Sequence, residues 1–275
     1  MIARNEAGRR VLRAQAWRFD PVQMMRDAGF APDPHQVELL ECDDDNTLVL
    51  WPRQSGKSQT CAIKVLHQAC FDPGDVVILA GEKQDQALEV YEKAFDAHAQ
   101  LSEIGELPKV TRSGDELLFE NGSRLLAKPS TVGSIRGYAA KLVLIDEAAW
   151  TGDDTLAKVA PMLSATNGRL ICASTPFGAR GWFWQAWHDG EGWRRLTVSI
   201  DDLPRLTPRE IERQRRILRP MQFRQEFLLE WLDGDQQFFS TELIESAFAD
   251  DFEPLFPADG FTPFADDFEP LEVSP

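Results

Sequence analysis

Apolar residues along this chain come mostly in short continuous runs separated by longer amphipathic stretches. Residues 47–51, 76–80 and 142–145 contain no alternating polar positions, as expected of strands covered on both faces. Residues 169–173 and 194–199 read as two further strands. Between the first two runs, residues 57–70 repeat apolar side chains at helical spacing and stop at Asp72-Pro73-Gly74, and residues 84–98 form a second amphipathic helix. This β-α-β-α alternation calls for a parallel sheet with helices on its faces. A hairpin is predicted over 116–128, where Asn121-Gly122 supplies the positive φ angles of the turn. Residues 1–46 read as partly helical and end in the acidic loop Asp43-Asp44-Asp45-Asn46; 207–218, with Pro208 in its first turn, and 221–232 read as closing helices. Beyond Trp231 the pattern dissolves. The last segment duplicates Asp250-Asp251-Phe252-Glu253-Pro254-Leu255 as Asp266-Asp267-Phe268-Glu269-Pro270-Leu271, too few and too polar for a repeat fold, so a disordered tail is expected.

At 275 residues and 43% hydrophobic content the chain can bury one large α/β core with a small appendage. No apolar run reaches the length of a bilayer span, and Arg4, Arg9, Arg10 and Arg13 are not followed by the apolar stretch of a secretory signal. A cytosolic protein is expected. Cys42, Cys61, Cys70 and Cys172 lack the paired spacing of a zinc site and read as buried, reduced thiols. The net charge is −16, but 12 Asp and Glu and no Lys or Arg fall within 233–275, which leaves −4 for residues 1–232. Acidity is therefore mainly a property of the tail and does not exclude a nucleic-acid partner. Nine arginines between Arg194 and Arg224 either follow a phosphate backbone or form a solvated helix face paired with Glu210, Glu212 and Glu226.

Two motifs carry the chemistry. Ser55-Gly56-Lys57-Ser58 stands between the 47–51 strand and the 57–70 helix. In a phosphate-binding loop the backbone N–H groups point inward, Lys reaches the β- and γ-phosphates, and the Ser hydroxyl binds magnesium. The general pattern GxxxxGK[ST] asks for Gly where this chain has Trp51, and Arg53 adds a fixed positive charge inside the loop. Further on, the 142–145 run delivers Asp146-Glu147 to a strand's carboxyl end, where ligands bind in open α/β sheets. One carboxylate there can hold a magnesium ion and its neighbour can polarise water; the same pair is also a helix N-cap signal. Ser174-Thr175-Pro176, ending the next strand, is either a γ-phosphate sensor or a turn.

In combination these residues resemble a family, the ATPase domain of the large terminase subunit, the motor that packages DNA in tailed bacteriophages. The resemblance spans about residues 32–231. Terminases resemble this chain in a deviant phosphate loop, Arg-Gln-x-Gly-Lys-[Ser/Thr], which corresponds to Arg53-Gln54-Ser55-Gly56-Lys57-Ser58 and requires no leading Gly. Asp33-Pro34-His35-Gln36 is similar to their Asp-x-x-Gln segment, Ser134-Ile135-Arg136-Gly137 to their Arg-Gly element, and Ser174-Thr175-Pro176 to their coupling motif.

The resemblance implies an α/β P-loop NTPase fold, a RecA-like additional-strand sheet flanked by helices, with the extra strand within 84–128. It implies ATP and Mg2+ as cofactors, with Gln36 recognising adenine, Lys57 on the phosphates, Ser58 and Asp146 on Mg2+, and Glu147 activating water. It also implies coupling of hydrolysis to motion through Ser174 and Thr175. Arg136 is the candidate arginine finger acting on a neighbouring subunit, and Arg53 competes for that role within the subunit. Implied partners are double-stranded DNA, a portal protein, a small terminase subunit and further copies in a ring, in the cytoplasm of a bacterial host.

The expected organisation is a helical segment (1–31), the ATPase domain (32–232) and the acidic tail (233–275). Large terminases usually carry a ribonuclease H-type nuclease after the ATPase, and the tail is too poor in strand pattern to form one, so no endonuclease activity is expected of this chain. A helicase shares the Asp-Glu strand end but needs a second RecA-like domain. A non-catalytic nucleotide-binding assembly protein is the rival from another class, and the intact Lys57, Asp146 and Glu147 speak against it.

Overall fold

In the computed structural model, which describes residues 2–130 and 137–232, the apolar runs assemble into one eight-stranded sheet. Its strands are β1 (Asn46–Leu50), β2 (Val76–Gly81), β3 (Val110–Ser113), β4 (Glu116–Phe119), β5 (Arg124–Pro129), β6 (Leu142–Asp146), β7 (Arg169–Ser174) and β8 (Arg194–Thr197). In space they run β3-β4-β5-β2-β6-β7-β1-β8. β3, β4 and β5 pair antiparallel, with the predicted turn at Asn121-Gly122 between β4 and β5, and every other pairing is parallel. The helices are α1 (Ile2–Phe19), α2 (Pro21–Asp27), α3 (Pro34–Glu41), α4 (Lys57–Phe71), α5 (Gln84–Ile104), α6 (Thr155–Ser164), α7 (Gly181–His188), α8 (Pro208–Ile217) and α9 (Pro220–Phe227).

Alternate residues of the central strands serve opposite faces, as the two-residue period of a strand demands. Val49, Val77, Leu79, Leu142 and Leu144 join α1–α5 in one core layer, whereas Leu48, Leu50, Ile78, Val143 and Ile145 join α6 and α7 in the other. Complete burial of a side chain such as Leu144 contributes about 1.5–3 kcal/mol. A third, small cluster of Ile200, Phe223 and Phe227 holds α8 and α9 together. α8 itself buries no residue.

Register decides what the sheet presents. Leu50 lies opposite Ser174 across β1 and β7, and Asp146 opposite Ala173 across β6 and β7. Three parallel strands therefore end level, and the segments that follow them meet at one edge.

Several boundaries depart from the hydrophobic pattern. The strand inserted between the phosphate-loop strand and the Asp-Glu strand is β7, which corrects its expected position within 84–128; that region instead supplies α5 and the β3-β4-β5 edge. β3 (Val-Thr-Arg-Ser) gives no apolar signal because three of its four residues are exposed. α5 continues past 98 because Leu101 is buried, and it stops at Gly105, where a Cβ would come within 2.2 Å of the Trp17 ring. α9 ends at Phe227 rather than 232, because Leu229 takes a left-handed φ of 57° and Glu230 N–H turns back to the Arg224 carbonyl. α6 carries an internal Pro161 and α7 is the aromatic run Gly-Trp-Phe-Trp-Gln-Ala-Trp-His, so neither shows a clean helical period. All four cysteines are unpaired; Cys61, Cys70 and Cys172 are buried, and burial pushes their thiols up, away from ionisation.

Candidate nucleotide-binding site

At the level strand ends a cavity of about 780 Å3 is lined by residues 52–59, Glu82, Gln86, Glu89, Lys93, Glu147, Trp150 and Thr175. A larger depression of about 1020 Å3 between α1, α5 and β3 collects none of these groups.

The loop from β1 to α4 is shaped from below. Trp51 is fully buried and packs edge-on against the His35 ring at 4.6 Å, so the position that the general phosphate-loop pattern gives to Gly is here an anchor. His35 Nε2 and Gln36 Nε2 both donate to the Ser55 carbonyl, at 3.0 and 3.1 Å. A carbonyl only accepts, so the proton of neutral His35 sits on Nε2, and burial lowers the pKa of that ring. Gln54 and Gly56 have φ of 64° and 80°. Gly56 is required twice: by its left-handed backbone, and because a Cβ would stand 2.2 Å from Gln36 Nε2. α4 begins at Lys57, which directs the positive end of the helix toward the cavity. Arg53 is drawn to α9: its N–H donates to the Glu226 carbonyl at 2.9 Å, and its Nε pairs with Glu226 Oε2 at 3.0 Å.

Across the cavity, Lys57 Nζ lies 3.2 Å from Glu147 Oε1. Glu147 adopts a left-handed φ of 51°, so consecutive carboxylates leave the strand end in different directions. Its side chain caps no helix; it faces Lys57 and receives a hydrogen bond from Ser174 Oγ at 3.4 Å. Ser174 Oγ in turn accepts from Ala149 N–H at 3.2 Å, and Trp150 stacks on Phe177 at 3.6 Å. The ends of β6 and β7 are thus joined twice, by a buried hydroxyl and by an aromatic pair.

Asp146 is 5% exposed, and burial pushes its carboxyl up to about 6 against the pull of Lys57. That value exceeds the roughly 3.9 of an unfolded Asp, so the folded chain holds the extra proton between about pH 4 and 6. Stability from this group therefore falls as pH rises through that window, and at neutral pH the buried charge opposes folding by about 3 kcal/mol. Asp146→Asn keeps the shape and removes the charge. It is expected to raise the melting midpoint of the nucleotide-free protein at pH 7.5 by roughly 6–12 °C while turnover is lost. A lowered midpoint in a thermal scan would contradict this account of Asp146.

Among the described residues no group of three or more His, Cys, Asp or Glu forms a metal site. Ser58 and Asp146 offer only two side chains, which fits magnesium: it keeps most of its waters and is held by one or two side chains together with substrate phosphates.

The sequence motifs 53–58, 146–147 and 174–175 converge here, with Gln36 beneath the loop. Arg136, with Ser134 and Ile135, lies outside the described residues. Glu82, Gln86, Glu89 and Lys93 on the cavity wall, and Glu226 and Arg205 behind the loop, belong to no motif. Only folding brings Arg205 to Gln36, 169 positions away.

A parallel-rich sheet with a strand inserted between its phosphate-loop and Asp-Glu strands, and Lys57 facing Glu147 across the cleft, defines an additional-strand P-loop ATPase. Residues 48–246 match the family described as terminase large subunit, T4likevirus-type, N-terminal. This chain belongs to the terminase large-subunit family and is an ATP-hydrolysing enzyme of the P-loop type. Solved structures with the same fold include the large terminase ATPase domain of Thermus phage P74-26 (21% identity, TM-score 0.67, covering 76% of this chain and 98% of that one). The large terminase of the thermophilic bacteriophage D6E shares 15% identity at TM-score 0.61, covering 74% of this chain and 54% of that one. That of bacteriophage HK97 shares 17% at TM-score 0.61, covering 73% and 51%. The match thus spans about half the length of the D6E and HK97 proteins.

Proposed function

We propose that this chain is the ATP-driven motor that moves double-stranded DNA into a phage procapsid. One observation carries the reading: Lys57, Glu147 and Ser174 form a single chain of contacts across the ends of the phosphate-loop, carboxylate and coupling strands. Family membership supports it, and the D6E large terminase has been solved with ADP and with ATP-gamma-S.

Lys57 binds the β- and γ-phosphates, and in doing so it must leave Glu147. The ion pair between them therefore holds the base unreactive until a triphosphate takes the lysine. Glu147 is then free to accept a proton from the water that attacks the γ-phosphorus. Ser58 and Asp146 would hold Mg2+, and the bound ion would supply positive charge against the phosphates. Ser174, bonded to Glu147 and to the turn after it, transmits the change at the base to β7, and Thr175 lines the same wall. Arg53 reaches the γ-phosphate only by exchanging Glu226 for it, and Arg136 serves a neighbouring copy as arginine finger. Gln36 is assigned to adenine by the resemblance alone; its side chain is fully buried beneath the loop and would have to turn outward to meet a base.

The partners are double-stranded DNA, a portal protein, a small terminase subunit and further copies of the chain in a ring. The place of action is the cytoplasm of the bacterial host. Among the described residues no helix is long and apolar enough to cross a membrane. The polar outer face of α8, with Arg209, Arg213 and Arg216 exposed, suits a polyanionic partner.

Ser174→Ala tests the coupling. It frees Glu147 Oε2 and leaves Ala149 N–H without its acceptor, so kcat is expected to fall about tenfold with KM for ATP nearly unchanged. Steady-state phosphate release checks this, and a shift confined to KM would count against it. The function as a whole is tested by ATP-dependent protection of DNA from added nuclease in the presence of portal-bearing procapsids. DNA left fully accessible under conditions where ATP is hydrolysed would refute translocation.

A further inference from the structure

Arg205 follows the short 3-10 helix Ile200–Asp202, outside every motif of the sequence. Its guanidinium makes three hydrogen bonds and packs against Gly56. Nε donates to Asp33 Oδ2 at 2.6 Å, Nη2 donates to the Ala31 carbonyl at 3.2 Å and to Gln36 Oε1 at 3.0 Å, and Nη1 lies 3.2 Å from where a Cβ of Gly56 would be. Gln36 Oε1 also accepts from Asp33 N–H at 2.9 Å. Both lone pairs of that amide oxygen are therefore occupied, and the Nε2 end is left to face the Ser55 carbonyl at 3.1 Å.

The direction of the Ser55 carbonyl matters for the reaction. In a trans peptide the C=O and the following N–H point in opposite directions. No peptide bond among the described residues is cis, so a Ser55 carbonyl turned toward α3 turns Gly56 N–H away from it, toward the cavity where phosphate binds. An amide side chain has no preference of its own about which end meets Ser55. A flipped Gln36 would present oxygen to oxygen and repel the carbonyl. Arg205 and Asp33 N–H together remove that alternative, since both can only donate and must meet the oxygen end.

We propose that Arg205 is a positioning residue for the phosphate loop: acting through Gln36, it fixes the Ser55–Gly56 peptide with its N–H toward the phosphates. The inference rests on the chain's binding ATP at this loop, and it assigns the fully buried Gln36 to the loop. It also makes the segment before α8 part of the nucleotide site.

The discriminating probe is inorganic triphosphate, which has phosphates and no base. Binding of ATP and of triphosphate is measured by calorimetry for the full chain, Arg205→Ala, Arg205→Lys and Asp33→Asn. In Arg205→Ala both ligands are expected to weaken by the same factor, on the order of tenfold, with a larger rise in KM than fall in kcat. Arg205→Lys recovers part of the loss, because an ammonium still meets Gln36 Oε1 but cannot hold Asp33 and Ala31 together. Asp33→Asn shifts both ligands in the same direction by less. Arg205 is 38% exposed on its side chain, and a circular-dichroism melt confirms that the variants are folded. Unchanged affinity in Arg205→Ala, or a loss for ATP with none for triphosphate, overturns the proposal; the second result would make the group a base reader. Failure of the unsubstituted chain to bind ATP would instead strike the parent reading.

Discussion

Lys57→Ala is expected to weaken ATP binding by more than about a hundredfold, which titration of a fluorescent ATP analogue into the folded variant will show. Lys57 is 9% exposed, so its charge acts in a cavity wall where water screens it poorly. It is also the counter-charge for both carboxylates: it pairs with Glu147 and pulls the buried Asp146 toward ionisation. Removing it leaves two acidic groups facing a triphosphate of several negative charges. The loss is then repulsion added to a missing contact, which is why a large effect is expected from one side chain. Affinity within threefold of the unsubstituted chain would mean that phosphates bind elsewhere.

Glu147→Gln is expected to separate binding from chemistry. Glutamine keeps the shape and can still accept a hydrogen bond from Ser174, but it cannot take a proton from water. Turnover should fall by about 10²–10⁴, the usual contribution of a positioned general base. Affinity for ATP should hold or tighten, because the substitution removes a negative charge beside the phosphates and releases Lys57 from its ion pair. Single-turnover phosphate release alongside equilibrium binding checks both halves. Normal hydrolysis by this variant would remove Glu147 from its role as base.

Most of the sheet was legible in the chain because its strands are covered on both faces and therefore read as unbroken apolar runs. β3 was not, since an exposed edge strand needs no apolar residues, and α6 and α7 were not, since Pro161 and four aromatic or bulky neighbours obscure a helical period. The phosphate-loop and Asp-Glu residues were legible because their roles constrain consecutive positions. The inserted strand was misplaced because strand order is set by crossovers, which local pattern does not encode. Arg205 and Glu226 are a different case. Each is an ordinary arginine or glutamate in a charged stretch, and only the return of the chain from β8 to the phosphate loop gives them partners at Gln36 and Arg53. Trp51 shows the reverse: it breaks the general loop pattern, yet its burial against His35 explains why no Gly is needed there.

In the proposed function these converging residues hydrolyse ATP to move DNA. The most direct test is phosphate release by the full chain with Mg2+, measured with and without double-stranded DNA and portal, beside Glu147→Gln as the background. Slow release by the isolated chain, a clear rise with DNA and portal, and neither signal in the variant are expected. Release that never exceeds the Glu147→Gln background under any of these conditions would contradict the proposed function.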